Sequence, residues 1–379
     1  MPEKTIGLFM ILLMTALAVH GQDHVSLLIS GDRLLINAEG RFRLGDEILE
    51  EDAALLALFK ARWNSGARAI RYIMKNKILD PPLKTELEGM SLIEDLIFVK
   101  EVSPDKIFSN GQQQINNMYV LFVNLISFQN RIGLLRKQPW LEKTFQVEYN
   151  RNRTLINQLN AIESQSAMQF ESLQALIKMI HASEWMRKGM QLENQAAQAQ
   201  NFDQAVKLDP DYMFALFQRG KAYYRMRAYE KALADFNRVL DKHPDWTEVI
   251  LSRGSVQGNL GNYQGVIEDC NAVLQQDPNV LSALLNRGIA YDQTAQPDAA
   301  LADYRKVISL DPGHVVAHYN MGCIFAVKGD AAAASRSIEA ALKNGYSDIE
   351  AIRRDPDLDS LKQDPVFQAM LKKYDKNGL

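Results

Sequence analysis

The sequence predicts an all-α fold whose C-terminal half is a solenoid of stacked helix-turn-helix units. Prolines recur at a spacing of 34 residues, and glycines recur at the same spacing. Each interval contains two stretches of apolar residues at helical spacing. A period of this length is typical of repeat proteins, whose units stack to bury a continuous core. The recurring residues are Pro210, Pro244, Pro278, Pro312, Gly220, Gly254, Gly288 and Gly322.

The residue pattern within one period indicates a specific kind of repeat. Leu216 and Tyr223 share one face of a first helix (A), and Ala232 and Phe236 recur at helical spacing in a second (B). The proline that follows ends helix B, because it lacks an N–H and disfavours helix before it. This pattern resembles the tetratricopeptide repeat, which implies a right-handed superhelical solenoid over residues 179–345. The predicted repeats are a degenerate one at 179–212, followed by repeats 1 to 4 at 213–246, 247–280, 281–314 and 315–345.

The first 21 residues have the composition of a secretory signal. Lys4 precedes an apolar stretch, Ile6–Val19, which is too short to span a bilayer comfortably, and small residues follow that suit cleavage after Ala18 or Gly21. We therefore expect an exported bacterial protein, in the periplasm or cell envelope or secreted, with no membrane span in the mature chain. An uncleaved membrane anchor is the alternative.

The region between the signal and the repeats is predicted to be mostly helical. Residues 22–103 include a short alternating segment at 27–44 that predicts a β-hairpin. Residues 104–178 predict a long antiparallel helical hairpin, in which the first helix begins at Ser103-Pro104 and a break falls at Gln138-Pro139. Homo-oligomerisation through these helices, or pairing with a partner helix, is the alternative.

Three charged pairs recur within the repeats. Arginine stands at position seven of repeats 1 to 3 and aspartate sixteen residues later, whereas repeat 4 has Met321 and Ser337 at these places. Because both residues are lost together, we expect them to meet across helices A and B, contributing roughly 0 to 1 kcal/mol if partly exposed. A charged recognition stripe is the alternative. The pairs are Arg219 with Asp235, Arg253 with Asp269, and Arg287 with Asp303.

The resemblance to the tetratricopeptide family also implies which A-helix positions face a concave groove. An apolar row beside an amide row suits an extended peptide, since Asn and Gln both donate and accept hydrogen bonds. The alternative is that the apolar row packs against the next helix. The predicted groove residues are Phe214, Phe217, Gln218, Lys221, Tyr224, Leu251, Ser252, Ser255, Asn259, Leu285, Asn286, Ile289, Gln293, Tyr319 and Asn320. The family's clamp for chaperone C-terminal tails is not matched, because only Asn286 or Asn320 resembles its residue set.

Composition and motifs indicate which partners, cofactors and metals to expect. The chain has 43 basic and 46 acidic residues, a net charge of -3, so we expect no nucleic-acid partner. Nucleotide-binding and hydrolase motifs are absent from the sequence. We expect no cofactor and no metal, because His314 and His318 lack further nearby ligands and the acidic run 355–359 lacks the glycine and glutamate of a calcium loop. The two cysteines, Cys270 and Cys323, are expected to be buried and unpaired.

These observations together favour a non-catalytic, exported scaffold that binds a peptide or protein segment of the cell envelope in the groove. The alternative is an enzyme or ligand sensor whose active part is residues 22–178, with the repeats used for docking. Residues 346–379 are predicted to form capping helices that cover the last repeat, because Asp355-Pro356 and Asp364-Pro365 place an N-cap residue before a proline.

Overall fold

The computed structural model describes residues 26–30, 33–43, 50–75, 97–109, 112–138, 141–164 and 170–375. The chain divides between Arg187 and Lys188 into two compact units, and Lys207–Pro210 groups with the first of them. The signal predicted over residues 1–21 lies outside the described residues. None of the described helices combines the length and the apolar character needed to cross a bilayer.

A four-stranded antiparallel sheet lies in the N-terminal unit, in the order β1-β2-β4-β3. Strands β1 and β2 pair within the segment 27–44 where the sequence predicts a hairpin. Helix α1 packs on β2 and β4. The bounds are β1 (Ser26–Ser30), β2 (Arg33–Arg43), α1 (Glu50–Lys75), β3 (Ile97–Ser109) and β4 (Gln112–Asn124).

The all-α class therefore does not extend to this unit, and the helix predicted to begin at Ser103-Pro104 is wrong. Both residues lie inside β3, where Pro104 is opposite Asn117 of β4. The apolar residues of the segment 115–122 recur at three- and four-residue steps, but four of the five residues from Tyr119 to Val123 are aromatic or β-branched, as in strands. Short apolar runs fit both the helical period and the strand period. In this segment the pairing with neighbouring strands determines the structure.

A helical hairpin is present, but it lies later in the chain than predicted. The helices are α2 (Leu125–Lys137), α3 (Glu142–Ser164) and α4 (Phe170–Met190). Arg151, in the first half of α3, donates to Ser183 Oγ at 2.7 Å in the second half of α4, and to the Met179 carbonyl at 2.9 Å near the middle of that helix. The two helices are therefore antiparallel, and the chain reverses between Ser164 and Phe170 instead of at Gln138-Pro139.

The core of the hairpin is buried within the N-terminal unit. Leu155 and Leu159 of α3 cluster with Leu173 and Ile177 of α4 and with Leu56 of α1. These apolar positions are the ones that an intermolecular seam would need, so their burial favours the intramolecular hairpin. The predicted boundary at 178/179 falls inside α4.

The C-terminal unit is the predicted solenoid, in which consecutive helices pack pairwise. The A helices α6, α8, α10 and α12 begin at the first residues of repeats 1 to 4. The bounds are α5 (Gln195–Leu208), α6 (Met213–Arg225), α7 (Tyr229–Lys242), α8 (Thr247–Asn259), α9 (Tyr263–Gln276), α10 (Leu281–Gln293), α11 (Pro297–Leu310), α12 (Val315–Val327) and α13 (Ala331–Lys343).

A short C-terminal segment packs against the last repeat and forms a cap. It consists of α14 (Ile349–Arg354), a 3-10 helix (Pro356–Leu361) and α15 (Pro365–Tyr374). The carboxylates of Asp355 and Asp364 accept hydrogen bonds from the first backbone N–H groups of the two helices that follow them. Leu358, Leu361 and Phe367 are buried in one cluster with residues of α12 and α13, so the cap extends the core beyond repeat 4.

Candidate functional site

Each predicted Arg–Asp pair meets across helices A and B of one repeat. Arg287 donates from Nη2 to Asp303 Oδ1 at 2.6 Å and from Nε to Asp303 Oδ2 at 2.8 Å, and the equivalent pairs in repeats 1 and 2 have the same two-point geometry. The Asp303 side chain is only 7% exposed. Its hydrogen bonds raise the pKa of Arg287 above the ordinary value. These arginines are therefore occupied inside the array.

The same arginines also reach the preceding repeat, which the sequence analysis missed. Arg219 donates to Asp203 at 3.0 Å, Arg253 to Asn237 at 3.0 Å, and Arg287 to Asn271 at 2.6 Å. Each acceptor lies sixteen residues before its arginine, so the signal was visible in the sequence. In repeat 4, where Met321 replaces the arginine, the acceptor position carries Arg305.

Apart from Gln218, the predicted groove residues of repeats 1 and 2 are either buried or bonded within the chain. Phe214, Phe217 and Leu251 are buried, and the Phe217 ring lies 5.3 Å from that of Trp246, which precedes the next A helix. For Phe217 and Leu251 the alternative interpretation, packing within the solenoid, is the correct one. They cannot grip a ligand side chain without repacking of the core.

Most polar groove residues of repeats 1 and 2 form hydrogen bonds or ion pairs within the chain. Lys221 pairs with Glu248 at 3.0 Å. Asn259 accepts from Tyr229 Oη at 3.1 Å and donates to Tyr224 Oη at 3.4 Å. The hydroxyls of Ser252 and Ser255 donate to carbonyl oxygens of their own helix, and Gln218 is partly exposed. Most of the hydrogen-bonding capacity here is therefore already used.

The groove residues of repeat 4 contact the C-terminal cap and repeat 3. Tyr319 donates from Oη to Asp355 and stacks on Tyr346 with ring centroids 4.7 Å apart. Asn320 donates to Tyr304 Oη at 3.2 Å. The cap thus covers the end of the groove that the sequence analysis assigned to ligand.

The A helix of repeat 3 is different, because its groove positions are accessible and free of internal polar contacts. Leu285, Asn286 and Ile289 are partly exposed, and Gln293 is exposed. Within the part of the chain that the structure describes, neither amide is engaged in a hydrogen bond. Their spacing places these four side chains on one helical face. This face, called the repeat 3 face below, has two aliphatic side chains beside two amides.

An acidic group lies at the end of the repeat 3 face. Asp292 follows Ile289 by one helical turn, and Asp355 and Asp357 come from the cap. Burial, followed by the charge of Asp357, raises the pKa of Asp292. One oxygen each from Asp355 and Asp357 and the Cys323 Sγ lie within 4.8 Å of one another. In the sequence these aspartates stand next to Asp359, whereas Cys323 is 32 residues away from Asp355 and could not be grouped with them.

The Cys323 thiol and the carboxylates of Asp355 and Asp357 are of types that can bind a metal. Their contacts in the structure are those of a hydrogen-bonded network. Burial, with Asp355 and Asp357, raises the pKa of the Cys323 thiol, so the thiol stays protonated at neutral pH. The thiol lies 3.7 Å from Asp355 Oδ2, which also accepts from Tyr319. His314 and His318 contact backbone groups at the start of α12. Both cysteines are free and buried, as predicted.

The N-terminal unit contains one His–Asp contact. His181 Nε2 lies 2.9 Å from Asp52 Oδ1 and joins α4 to α1. Among the residues that the structure describes, no hydroxyl or thiol contacts this imidazole.

Two family models described as "Tetratricopeptide repeat" match the chain, one over residues 213–246 and the other over 281–314. These are repeats 1 and 3, with the boundaries predicted from the sequence. Among curated proteins, a 57-residue segment is 35% identical to a chloroplastic protein of Arabidopsis thaliana. The segment is 15% of this chain and spans 17% of that protein.

Solved structures with a similar arrangement include MamA from Desulfovibrio magneticus RS-1, which is 19% identical with a TM-score of 0.42. That match covers 45% of this chain and 97% of MamA from residue 41 to its end. Another is YrrB, described as "a TPR protein with an unusual peptide-binding site", 20% identical with a TM-score of 0.39 over 47% of this chain and 90% of YrrB. The family-model matches and the helix boundaries show that this chain contains tetratricopeptide repeats, which lie in its C-terminal unit.

Proposed function

We propose that this protein is a non-catalytic, exported scaffold that binds an extended peptide or protein segment on the repeat 3 face. The observation that supports this proposal is the contrast between repeats. Apart from the partly exposed Gln218, groove residues in repeats 1, 2 and 4 are buried or bonded internally, whereas Leu285, Asn286, Ile289 and Gln293 are accessible and have no polar partner among the described residues. A bound ligand would supply contacts to these four side chains.

The chemistry of this face suits a peptide in extended conformation. The four residues span eight positions of one helix, or about 12 Å, which corresponds to about four residues of extended chain. The aliphatic side chains can bury apolar ligand side chains, and the amides can donate to and accept from a ligand backbone. Free hydrogen-bonding groups at a groove allow such pairing without breaking internal contacts.

The proposed location follows from the signal-like composition of residues 1–21. Export would place the repeat domain in the periplasm or cell envelope, and the partner would be a protein or peptide of that compartment. Fractionation of cells that express the full chain tests this part. Recovery of a processed chain outside the cytoplasm is expected, and an unprocessed cytoplasmic chain would contradict export.

Site-specific photo-crosslinking tests the binding face. A photoreactive amino acid at Gln293 should yield a discrete crosslinked product in extracts of the producing cells, and the same group at Lys306, exposed on helix B, should not. Leu285→Asp should abolish the product. Leu310→Asp is the matched control, because Leu310 is an exposed leucine, 40% accessible, outside the predicted groove set.

The proposal fails if the crosslinked product forms equally from Gln293 and Lys306, or if Leu285→Asp leaves it unchanged. Far-UV circular dichroism of each variant shows whether the helices are retained. If the variants are folded and the crosslinked product does not depend on the repeat 3 face, residues 22–178 become the next candidate for the functional region.

A further inference from the structure

We infer that the repeat 3 face binds a peptide with a lysine or arginine close to an aliphatic residue, its basic side chain seated between Asp292 and Asp357. This inference rests on the proposed function and specifies its ligand. It makes the cap a part of the binding surface as well as a cover for the last repeat.

Three residues of α10 that carry the inference lie on one helical face. Leu285, Ile289 and Asp292 are separated by four and three residues, so their side chains follow one another along α10. The aliphatic part of the face therefore leads directly to a carboxylate.

The cap supplies the second carboxylate from a fixed position. Asp355 is held by Tyr319 Oη, and its Oδ1 accepts from the Asp357 backbone N–H at 2.9 Å. Leu358, the next residue after Asp357, is fully buried. Asp357 is itself exposed, so its carboxylate is anchored through its backbone yet accessible to a ligand.

Within the part of the chain that the structure describes, no basic side chain compensates the charge of this end. Asp235, Asp269 and Asp303 each bind an arginine at two points. By contrast, no lysine or arginine among the described residues forms an ion pair with Asp292, Asp355 or Asp357. Carboxylates crowded in a partly buried site repel one another, and a cation relieves that repulsion.

A basic side chain fits this site better than an uncharged one for two reasons. An ammonium or guanidinium group forms charge-assisted hydrogen bonds with carboxylates, which are stronger than neutral ones. Its aliphatic stem can also pack beside Ile289 while the charged end reaches the carboxylates. Seven helical positions separate Leu285 from Asp292, about 10 Å, or about three residues of extended chain. The basic residue should therefore stand about three positions from the aliphatic one.

Selection from a phage-displayed library of random 12-residue peptides on the purified full chain tests the inference. We expect enriched peptides to carry Lys or Arg about three positions from Leu, Ile, Val or Phe. A fluorescein-labelled selected peptide should bind the Asp292→Asn/Asp357→Asn variant about tenfold more weakly than the wild type. Replacing its basic residue with norleucine should cause a similar loss, and the two losses should not add.

The double variant separates binding from unfolding, because neither carboxylate is fully buried and asparagine is nearly isosteric with aspartate. An unchanged circular dichroism spectrum and an undiminished melting temperature establish this. Higher salt should weaken the wild-type complex and leave the norleucine complex nearly unchanged.

Two results would overturn the inference, and they are distinguishable. Peptides that require Leu285 but show no basic residue, or that bind the Asp292→Asn/Asp357→Asn variant equally well, would contradict the basic specificity and leave the peptide groove intact. Failure to enrich any peptide whose binding depends on Leu285 would contradict both this inference and the proposed function.

Discussion

The Arg287 guanidinium donates to Asn271 Oδ1 at 2.6 Å, so the arginine that pairs with Asp303 inside repeat 3 also joins repeat 3 to repeat 2. One side chain thus fixes the A–B packing of its own repeat and the distance to the preceding B helix. Because each repeat contacts mainly its neighbours, such links contribute to the coupling that makes a solenoid cooperative.

We expect Arg287→Met to destabilise the repeat domain by about 3 kcal/mol, because it leaves the buried Asp303 carboxylate without its partner. The double variant Arg287→Met/Asp303→Ser reproduces the pair Met321 and Ser337 of repeat 4 and should recover most of that loss. Urea unfolding followed by far-UV circular dichroism measures both. A loss below about 1 kcal/mol for the single variant would show that the pair is no stronger than a surface ion pair.

Gly288 and Gly254 occupy equivalent positions but should respond in opposite ways to alanine. A Cβ at Gly288 would lie 2.6 Å from Tyr304 Cε1, a ring that is fully buried, whereas a Cβ at Gly254 would meet its nearest atom at 3.8 Å. Repeat 2 has the space because Cys270 replaces the aromatic residue.

We therefore expect Gly288→Ala to cost about 2 kcal/mol through overpacking, and Gly254→Ala to stabilise by up to about 1 kcal/mol through helix propensity. Urea midpoints of the two variants provide the comparison, and each serves as the control for the other. Equal responses would mean that the aromatic ring moves aside at little cost.

Much of the repeat domain could be predicted from the sequence, because its geometry depends on local residues at fixed spacing. The A helices begin at Met213, Thr247, Leu281 and Val315, which are the predicted repeat starts. The arginine–aspartate contact could also be predicted, since Met321 and Ser337 replace both members together.

The hairpin of β1 and β2 lies where it was predicted, but β3, β4 and the sheet as a whole were missed, in part because the pairing that joins the two hairpins is non-local. Strand β4 lies between β2 and β3, and its pairing with β2 joins residues 71 to 91 positions apart, such as Leu35 and Phe122. One local signal was available: Asn110-Gly111, which stands between β3 and β4 in the sequence, is typical of a two-residue hairpin connection.

The groove was only partly predictable, because position in a repeat does not determine exposure. Phe217 and Leu285 occupy the same position, yet Phe217 is buried beside Trp246 and Leu285 is partly exposed. Trp246 precedes the next A helix after repeat 1, whereas His314 stands at the equivalent place after repeat 3. Similarly, the juxtaposition of Cys323 with Asp355 depends on how the cap folds back.

The turn between helices A and B offers a test of backbone strain. Ala295 has φ 58°, and the equivalent residues Gly261 and Gly329 have φ 77° and 81°. A left-handed conformation costs an alanine about 1 to 2 kcal/mol, part of which glycine avoids. We expect Ala295→Gly to stabilise the domain by about 0.5 to 1 kcal/mol in urea unfolding.

The matched control for that substitution is Ala302→Gly, since Ala302 is an exposed residue within helix α11. There the same chemical change should destabilise by about 1 kcal/mol, because glycine is a poor helix former. Destabilisation by both variants would contradict the strain assigned to Ala295.

Asp292 should make the stability of the domain depend on pH. Burial and the charge of Asp357 raise its pKa in the folded state, so the folded chain binds more protons than the unfolded chain above the ordinary aspartate pKa of 3.8. Stability linked to this group therefore falls as pH rises through that window. Asp292→Asn removes the penalty and should be more stable than the wild type at pH 7, with a smaller difference at pH 4.

Urea midpoints at pH 4 and pH 7 measure this difference, and Asp298→Asn is the control of opposite sign. Hydrogen bonding and ion pairing with Lys328 lower the pKa of Asp298, so any stability it contributes is present at pH 7 and is lost as pH falls. A stabilised Asp292→Asn variant that also binds basic peptides more weakly would show that the acidic end is retained at a cost in stability, as expected of a binding site. If the Asp292→Asn variant is more stable and binds the peptide as well as the wild type, Asp292 destabilises the fold and has no role in recognition.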